Sequence, residues 1–193
     1  MLCFCVDFCR LNTHTKKDSY PLLGIQEALE SMAGAAHFST MDFKSGFWQV
    51  RMVPESQQYT AFTVGNLEFY EFTRMPFGIC NAPATFQHLM QNTLGELNLT
   101  YCIIYLDDII VFGCMEEEHP EHLWVVFECF REFNLKLKPS KCSFFQSEIV
   151  YLVHDMSQEG ICSSWDNMHA VEDFLMLETF TQVRVFCGLV GHY

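Results

Sequence analysis

No run of about 18 consecutive apolar residues occurs in this chain of 193 residues, so the sequence offers no helix long enough to span a membrane. The start, Met1-Leu2-Cys3-Phe4-Cys5-Val6, is apolar but is soon broken by Asp7. It has neither the basic leader nor the small-residue cleavage site of a secretory signal. An intracellular protein, in a cytoplasmic particle or the nucleus, is therefore expected rather than a secreted one. Positive charge is scarce: 11 Lys and Arg stand against 24 Asp and Glu, a net charge of −13, which argues against a generic nucleic-acid binder. The ten cysteines include no Cys-x-x-Cys pair, so a structural zinc knuckle is not expected. Cys3, Cys5 and Cys9 with His14 fit no zinc spacing either. Repeats and low-complexity linkers are absent.

Apolar material is abundant. Half of the residues are hydrophobic and Phe alone contributes 19, which excludes a disordered chain and supports one sizeable core. The few positive charges are also unevenly distributed. Arg10, Lys16 and Lys17 form one basic stretch, and Arg131, Lys136, Lys138 and Lys141 another; the lysines suit either phosphate contact or solubility. Glu116-Glu117-Glu118 reads as a solvated helix start.

Hydrophobic spacing predicts a strand over residues 4–8, a helix over 21–32 stopped by Gly34, and a short strand over 38–41 leading to Asp42. Ser45 to Trp48 reads as a turn or short helix. Residues 60–64 and 67–72 flank Gly65-Asn66 as a hairpin. Ala82-Pro83 opens a helix with Phe86, Leu89, Met90 and Leu94 on one face, and residues 116–133 form a second amphipathic helix. Residues 144–145 and 149–152 read as strands, and 165–177 as a helix. This irregular alternation predicts an α+β sheet-and-helix sandwich.

Within it, Tyr105-Leu106-Asp107-Asp108 stands between Tyr101-Cys102-Ile103-Ile104 and Ile109-Ile110-Val111-Phe112. The flanks have the length and branching of buried strands, and Asp-Asp suits the turn between them. Carboxylates this close raise each other's pKa, and a divalent cation is one counter-charge that keeps both ionised. A structural turn is the other reading of the pair alone. A small metal-binding domain built on His119-Pro120-Glu121-His122 is disfavoured, because its histidines lack i, i+4 spacing.

Taken together, several segments resemble the reverse transcriptase of gypsy-type LTR retrotransposons. They are Phe4-Cys5-Val6-Asp7-Phe8 with Leu11-Asn12, Thr15 to Leu22, Phe38 to Val50, Thr60-Ala61-Phe62, Met75 to Gln87, Tyr105 to Asp108, and Leu135 to Cys142. The resemblance covers essentially the whole chain. It implies a polymerase palm, an antiparallel sheet packed on helices, with part of the fingers, in a right-hand architecture lacking most of the thumb. Residues 1–20 and 51–80 would be fingers, 21–50 and 81–155 palm, and 156–193 the start of thumb or connection.

The implied activity is RNA-directed DNA polymerisation, with Asp42 joining Asp107 and Asp108 as catalytic carboxylates. These three and the Phe43 backbone oxygen would hold two Mg²⁺ ions, with Mn²⁺ as an alternative. Phe47 would sit beneath the incoming sugar, Phe77 and Gly78 against the nucleotide and template base, and Tyr151-Leu152 at the primer end. The implied partners are an RNA or DNA template with primer, a dNTP and other segments of a pol polyprotein, with no membrane. Three positions depart from the family pattern: Cys3 and Cys9 replace arginines, and Val153 replaces a glycine. With the thumb, ribonuclease H, integrase and protease segments missing, they lead to the expectation of a truncated, partly degenerate copy. The alternative function is a catalytically inactive remnant acting as a nucleic-acid or protein interaction module.

Overall fold

The computed structural model describes residues 5–21, 23–65, 68–152 and 154–163. The first elements are α1 (Cys9–His14), α2 (Ile25–Ser31), β1 (His37–Asp42) and α3 (Pro54–Gln57), with a 3-10 turn at Gly46–Gln49 before α3. A two-stranded ribbon of β2 (Phe62–Val64) and β3 (Glu68–Tyr70) precedes α4 (Ala82–Leu94). There follow β4 (Cys102–Tyr105), β5 (Asp108–Gly113), α5 (Glu118–Glu132) and β6 (Ser143–Gln146). A final antiparallel sheet comprises β7 (Glu148–Tyr151), β8 (His154–Ser157) and β9 (Gly160–Ser163).

The central sheet has the order β4-β5-β1-β6 with every pair antiparallel. Side chains alternate across a strand, and here both faces are covered. Met41, Cys102, Ile104, Ile109 and Val111 pack with Phe86, Met90 and Leu94 of α4 and Leu123, Val126 and Phe130 of α5. Phe38, Ile103, Ile110 and Phe112 pack on the other side with Ala28 and Leu29 of α2, Ile149 and Tyr151 of β7, and Met156 of β8. Double coverage explains why β4 and β5 read as unbroken apolar runs rather than alternating ones. No described helix is long and apolar enough to cross a membrane.

The predicted α+β architecture holds, with one element of different type, several boundaries moved, and strands β8 and β9 not expected from the sequence. Residues 5–8 are not a strand, and a helix begins at Cys9. Asp7 Oδ1 accepts the Cys9 N–H at 2.8 Å, and the Asn12 N–H bonds to the Phe8 carbonyl at 2.8 Å, so local turn bonding overrides the alternation of Val6, Asp7 and Phe8. The helix expected from residue 21 begins at Ile25, after an extended Gly24. The helix expected over 165–177 and the position of Val153 lie outside the described residues.

Candidate active site

Asp42 ends β1 and Asp108 begins β5, and the antiparallel register sets them directly opposite each other. Tyr105 pairs with Asp108 across the hairpin, so Leu106 and Asp107 form its tip. Leu106 carries a positive φ of 54°, costly for a side chain of its size. Buried Gln87 of α4 holds the turn, its side-chain oxygen accepting the Leu106 N–H at 3.1 Å. The strained tip is thereby tied to the helix beneath it.

The two adjacent aspartates have different surroundings. Asp108 and Asp42 line a cavity of about 400 Å³ with Thr40, Lys141, Tyr151 and Leu152. Asp107 Oδ1 is buried without a hydrogen-bond partner among the described residues. It lies 3.4 Å from where a Cβ on Gly46 would stand, and the Phe86 ring lies 3.2 Å from that point. A side chain at position 46 would therefore press on both the carboxylate and the core.

Burial raises the Asp107 pKa above its usual value, and the charges of Asp108 and Asp42 raise it further. Asp108 is raised by burial and then by Asp42. Lys141 offsets both, and its Nζ donates to Asp42 Oδ2 at 2.7 Å. That contact raises the lysine's own pKa. The Lys138 N–H also donates to the Asp42 carbonyl at 2.9 Å, so the segment leading to β6 folds over the carboxylate. Neither Lys141's position nor Gln87's role was evident from the sequence. The first looked like one of several solvated lysines, and the second pairs two segments distant in the chain.

A hard divalent ion suits these donors by charge and by oxygen chemistry. Among the described residues, no three His, Cys, Asp or Glu side chains gather closely enough to hold a metal ion as they stand. The unpartnered Asp107 oxygen and the two pKa values, raised first by burial and then by neighbouring carboxylates, nevertheless mark a site that a cation would suit. An ion joining these carboxylates would share Asp42 with Lys141. Phe43, whose carbonyl the resemblance adds to the donors, is bridged to Leu137.

The remaining site residues fall in two groups, Phe47 with Phe77 and Gly78 on the α4 side and Tyr151 with Leu152 at the end of β7. Phe47 packs on Phe86 and Phe77, with ring centroids 5.7 and 5.2 Å apart, and Phe77 is exposed. Gly78 has φ +93°, and its loop is clamped by Asn12. Asn12 Nδ2 donates to the Gly78 carbonyl at 2.8 Å, and its Oδ1 accepts the Cys80 N–H at 2.9 Å. Tyr151 is buried beneath Asp108 with its hydroxyl unpartnered among the described residues, and Leu152 beside it has φ +44°. Burial, Tyr105 and Asp108 together push the Tyr151 hydroxyl pKa upward.

Cys9, one of the positions that depart from the family pattern, is exposed on α1, and Cys3 lies outside the described residues. His119 and His122 do not form a pair. His119 is fully buried against the Ser39 hydroxyl at 2.7 Å, and His122 Nδ1 meets the Phe112 carbonyl at 2.7 Å.

The sequence family described as reverse transcriptase (RNA-dependent DNA polymerase) matches residues 1–156. The chain is 37% identical over 188 residues to the retrovirus-related Pol polyprotein from transposon 297 of Drosophila melanogaster, covering 97% of this chain and 18% of that protein. The transposon gypsy polyprotein of the same organism is 32% identical over the same share of each chain. The chain thus spans less than a fifth of the length of these relatives. Among solved structures, a foamy viral protease-reverse transcriptase in complex with double-stranded DNA shares the fold. Its TM-score is 0.82 at 23% identity, over 96% of this chain and 32% of that one. A complex of the foamy viral protein with an RNA/DNA hybrid gives a TM-score of 0.77 at 22% identity, over 96% of this chain and 25% of that one. The Asp-Asp hairpin, its partner strand and these likenesses agree: the chain belongs to the reverse transcriptase (RNA-dependent DNA polymerase) family, in the form carried by LTR retrotransposons.

Proposed function

We propose that this chain forms the core of an RNA-directed DNA polymerase, joining a dNTP to a primer 3′-hydroxyl on an RNA or DNA template. On this reading residues 21–50 and 81–155 are palm, and 1–20 and 51–80 belong to the fingers. The observation that carries it is the cross-strand opposition of Asp42 and Asp108, with Asp107 one residue away and the Asp107 and Asp108 pKa values raised by burial and by neighbouring carboxylates.

Asp42, Asp107, Asp108 and the Phe43 carbonyl would hold Mg²⁺. The bound ion would supply Lewis-acid activation of the primer hydroxyl and charge neutralisation at the pyrophosphate. The residues themselves contribute position, which is most of what phosphoryl transfer asks of a protein. Phe47, supported by Phe86, would form the floor under the incoming sugar. Phe77 and the Gly78 loop, held by Asn12, would bear on the nucleotide and its template base. Leu152, at the cavity edge, would face the primer end.

The test is primer extension on an RNA template with Mg²⁺, comparing the chain with its Asp107→Asn variant. Extension that disappears in the variant and on chelation supports catalysis by this site. Extension by neither protein supports a second reading, a palm-fold module that binds nucleic acid without chemistry. The Lys141–Asp42 contact favours that alternative, because it engages a carboxylate the reaction needs.

A further inference from the structure

A second charged cluster lies apart from the carboxylates and carries the opposite sign. Arg51 and Arg74 face each other as partners of an antiparallel bridge. Directly opposed like charges destabilise such a pairing unless a counter-charge is present. With Lys136 they line a cavity of about 560 Å³ completed by Trp48, Gln49, Phe133 and Asn134, and no carboxylate lines it. Among the described residues, none of the three cations forms an ion pair. In a chain of net charge −13, three unneutralised cations around one hollow point to an anionic ligand.

The walls are built rather than incidental. Gln49 Nε2 donates to the carbonyls of Lys44 and Lys136 at 2.9 and 2.8 Å, and its Oε1 accepts the Lys136 N–H at 2.7 Å. Arg74 Nη1 donates to the Gln49 carbonyl at 2.7 Å, fixing one guanidinium at the rim. Trp48 is half exposed, and its ring centroid lies 6.2 Å from that of Phe77. Cations beside an open aromatic face form the chemistry that takes a phosphate and stacks its base. Arginine also suits phosphate by its planar fork of donors.

We infer that this cavity is a nucleotide subsite, taking a phosphate between Arg51, Arg74 and Lys136 and the attached base on Trp48. The nucleotide belongs to a single strand or is free in solution, and the same chemistry serves both. Neither source depends on catalysis, so the subsite stands or falls separately from the polymerase reading, on which only the name of a bound strand rests.

The experiment measures binding of a labelled oligo-dT 12-mer and, separately, of dTTP and inorganic pyrophosphate to the full chain at several salt concentrations. Each single-strand phosphate contact contributes about 0.7 to the slope of log affinity against log salt. Replacing Arg51→Gln and Lys136→Gln together is expected to lower that slope by roughly 1.4 and weaken the 12-mer about tenfold. Trp48→Ala is expected to weaken it by a similar factor with the slope kept, because stacking carries no charge. Arg51→Lys, which keeps the charge, should preserve the slope. A loss confined to dTTP and pyrophosphate supports the free nucleotide as occupant. The inference is overturned if the unaltered chain binds none of these ligands. It is equally overturned if the double variant and an Arg51→Glu variant leave every affinity and slope unchanged. All three altered side chains are exposed, so folding is checked by circular dichroism and is expected to be intact.

Discussion

Asp108→Asn is predicted to make the metal-free protein more stable while removing one of the three carboxylates proposed to carry the chemistry. Asp108 stands directly across β1 and β5 from Asp42, and like charges so placed cost on the order of 0.2–1 kcal/mol. For a chain of this size one kcal/mol moves Tm by roughly 2–4 °C, so the expected rise is about 0.4–4 °C at pH 7.5. The sign with pH follows from the raised pKa. Below the unfolded-state value of 3.8 the carboxyl is protonated whether folded or not, and the substitution gains nothing. Above it the unfolded chain ionises first and the folded state resists, so the wild-type penalty grows until pH passes the folded pKa. The assay is thermal unfolding of both proteins at pH 3.5 and 7.5, without and with Mg²⁺. Added Mg²⁺ is expected to raise the wild type more than the variant, narrowing or reversing the gap. A variant less stable than wild type at pH 7.5 without metal, or a gap indifferent to pH, refutes the idea that an ionised Asp108, disfavoured by burial and by Asp42, costs the fold stability.

Other consequences can be checked with purified protein. Phe86→Ala empties a fully buried position contacted by the rings of Phe43 and Phe47, and about 3–5 kcal/mol of stability should be lost in chemical denaturation. Gly78→Ala should cost about 1–2 kcal/mol through its φ of +93° rather than by collision, since the new methyl would meet Phe8 at an ordinary 3.5 Å; equal stability would show that the loop relaxes. Burial and the neighbouring His37 and His122 lower His119 to about 4, so its contribution to stability is complete above pH 6.5 and falls as pH drops towards 4. His119→Gln should flatten the pH–stability curve across that window; an unchanged curve would place the acid sensitivity elsewhere.

Much of the fold was legible because its signals were local. The apolar runs around Asp107 and Asp108 gave β4 and β5, Pro83 and the spacing of Phe86 and Met90 gave α4, and Glu118 opened α5 close to where the acidic run suggested. Residues 5–8 misled because three side chains can mimic alternation by chance, whereas a single Asp7 side-chain bond to the Cys9 N–H turns the backbone after them. What the chain could not disclose was pairing at a distance. Lys141 meets Asp42, Gln87 meets Leu106, and Ser39 meets His119, each across many residues and without a shared local pattern. The same holds for Arg51 and Arg74, which look like scattered surface charges until a bridge sets them opposite each other.

The register that opposes Asp42 to Asp108 also bears on how the molecule folds. Its pairs, from His37 with Gly113 to Asp42 with Asp108, join segments far apart in the chain, so a long loop must close before any of them forms. Such topology makes for slow folding and leaves β4 and β5 without their central neighbour until β1 docks. No partially folded chain lacking that pairing can bring the two carboxylates together. A ligand that requires both therefore recognises only the finished sheet, and its binding would serve as a direct count of correctly folded molecules in a refolding experiment.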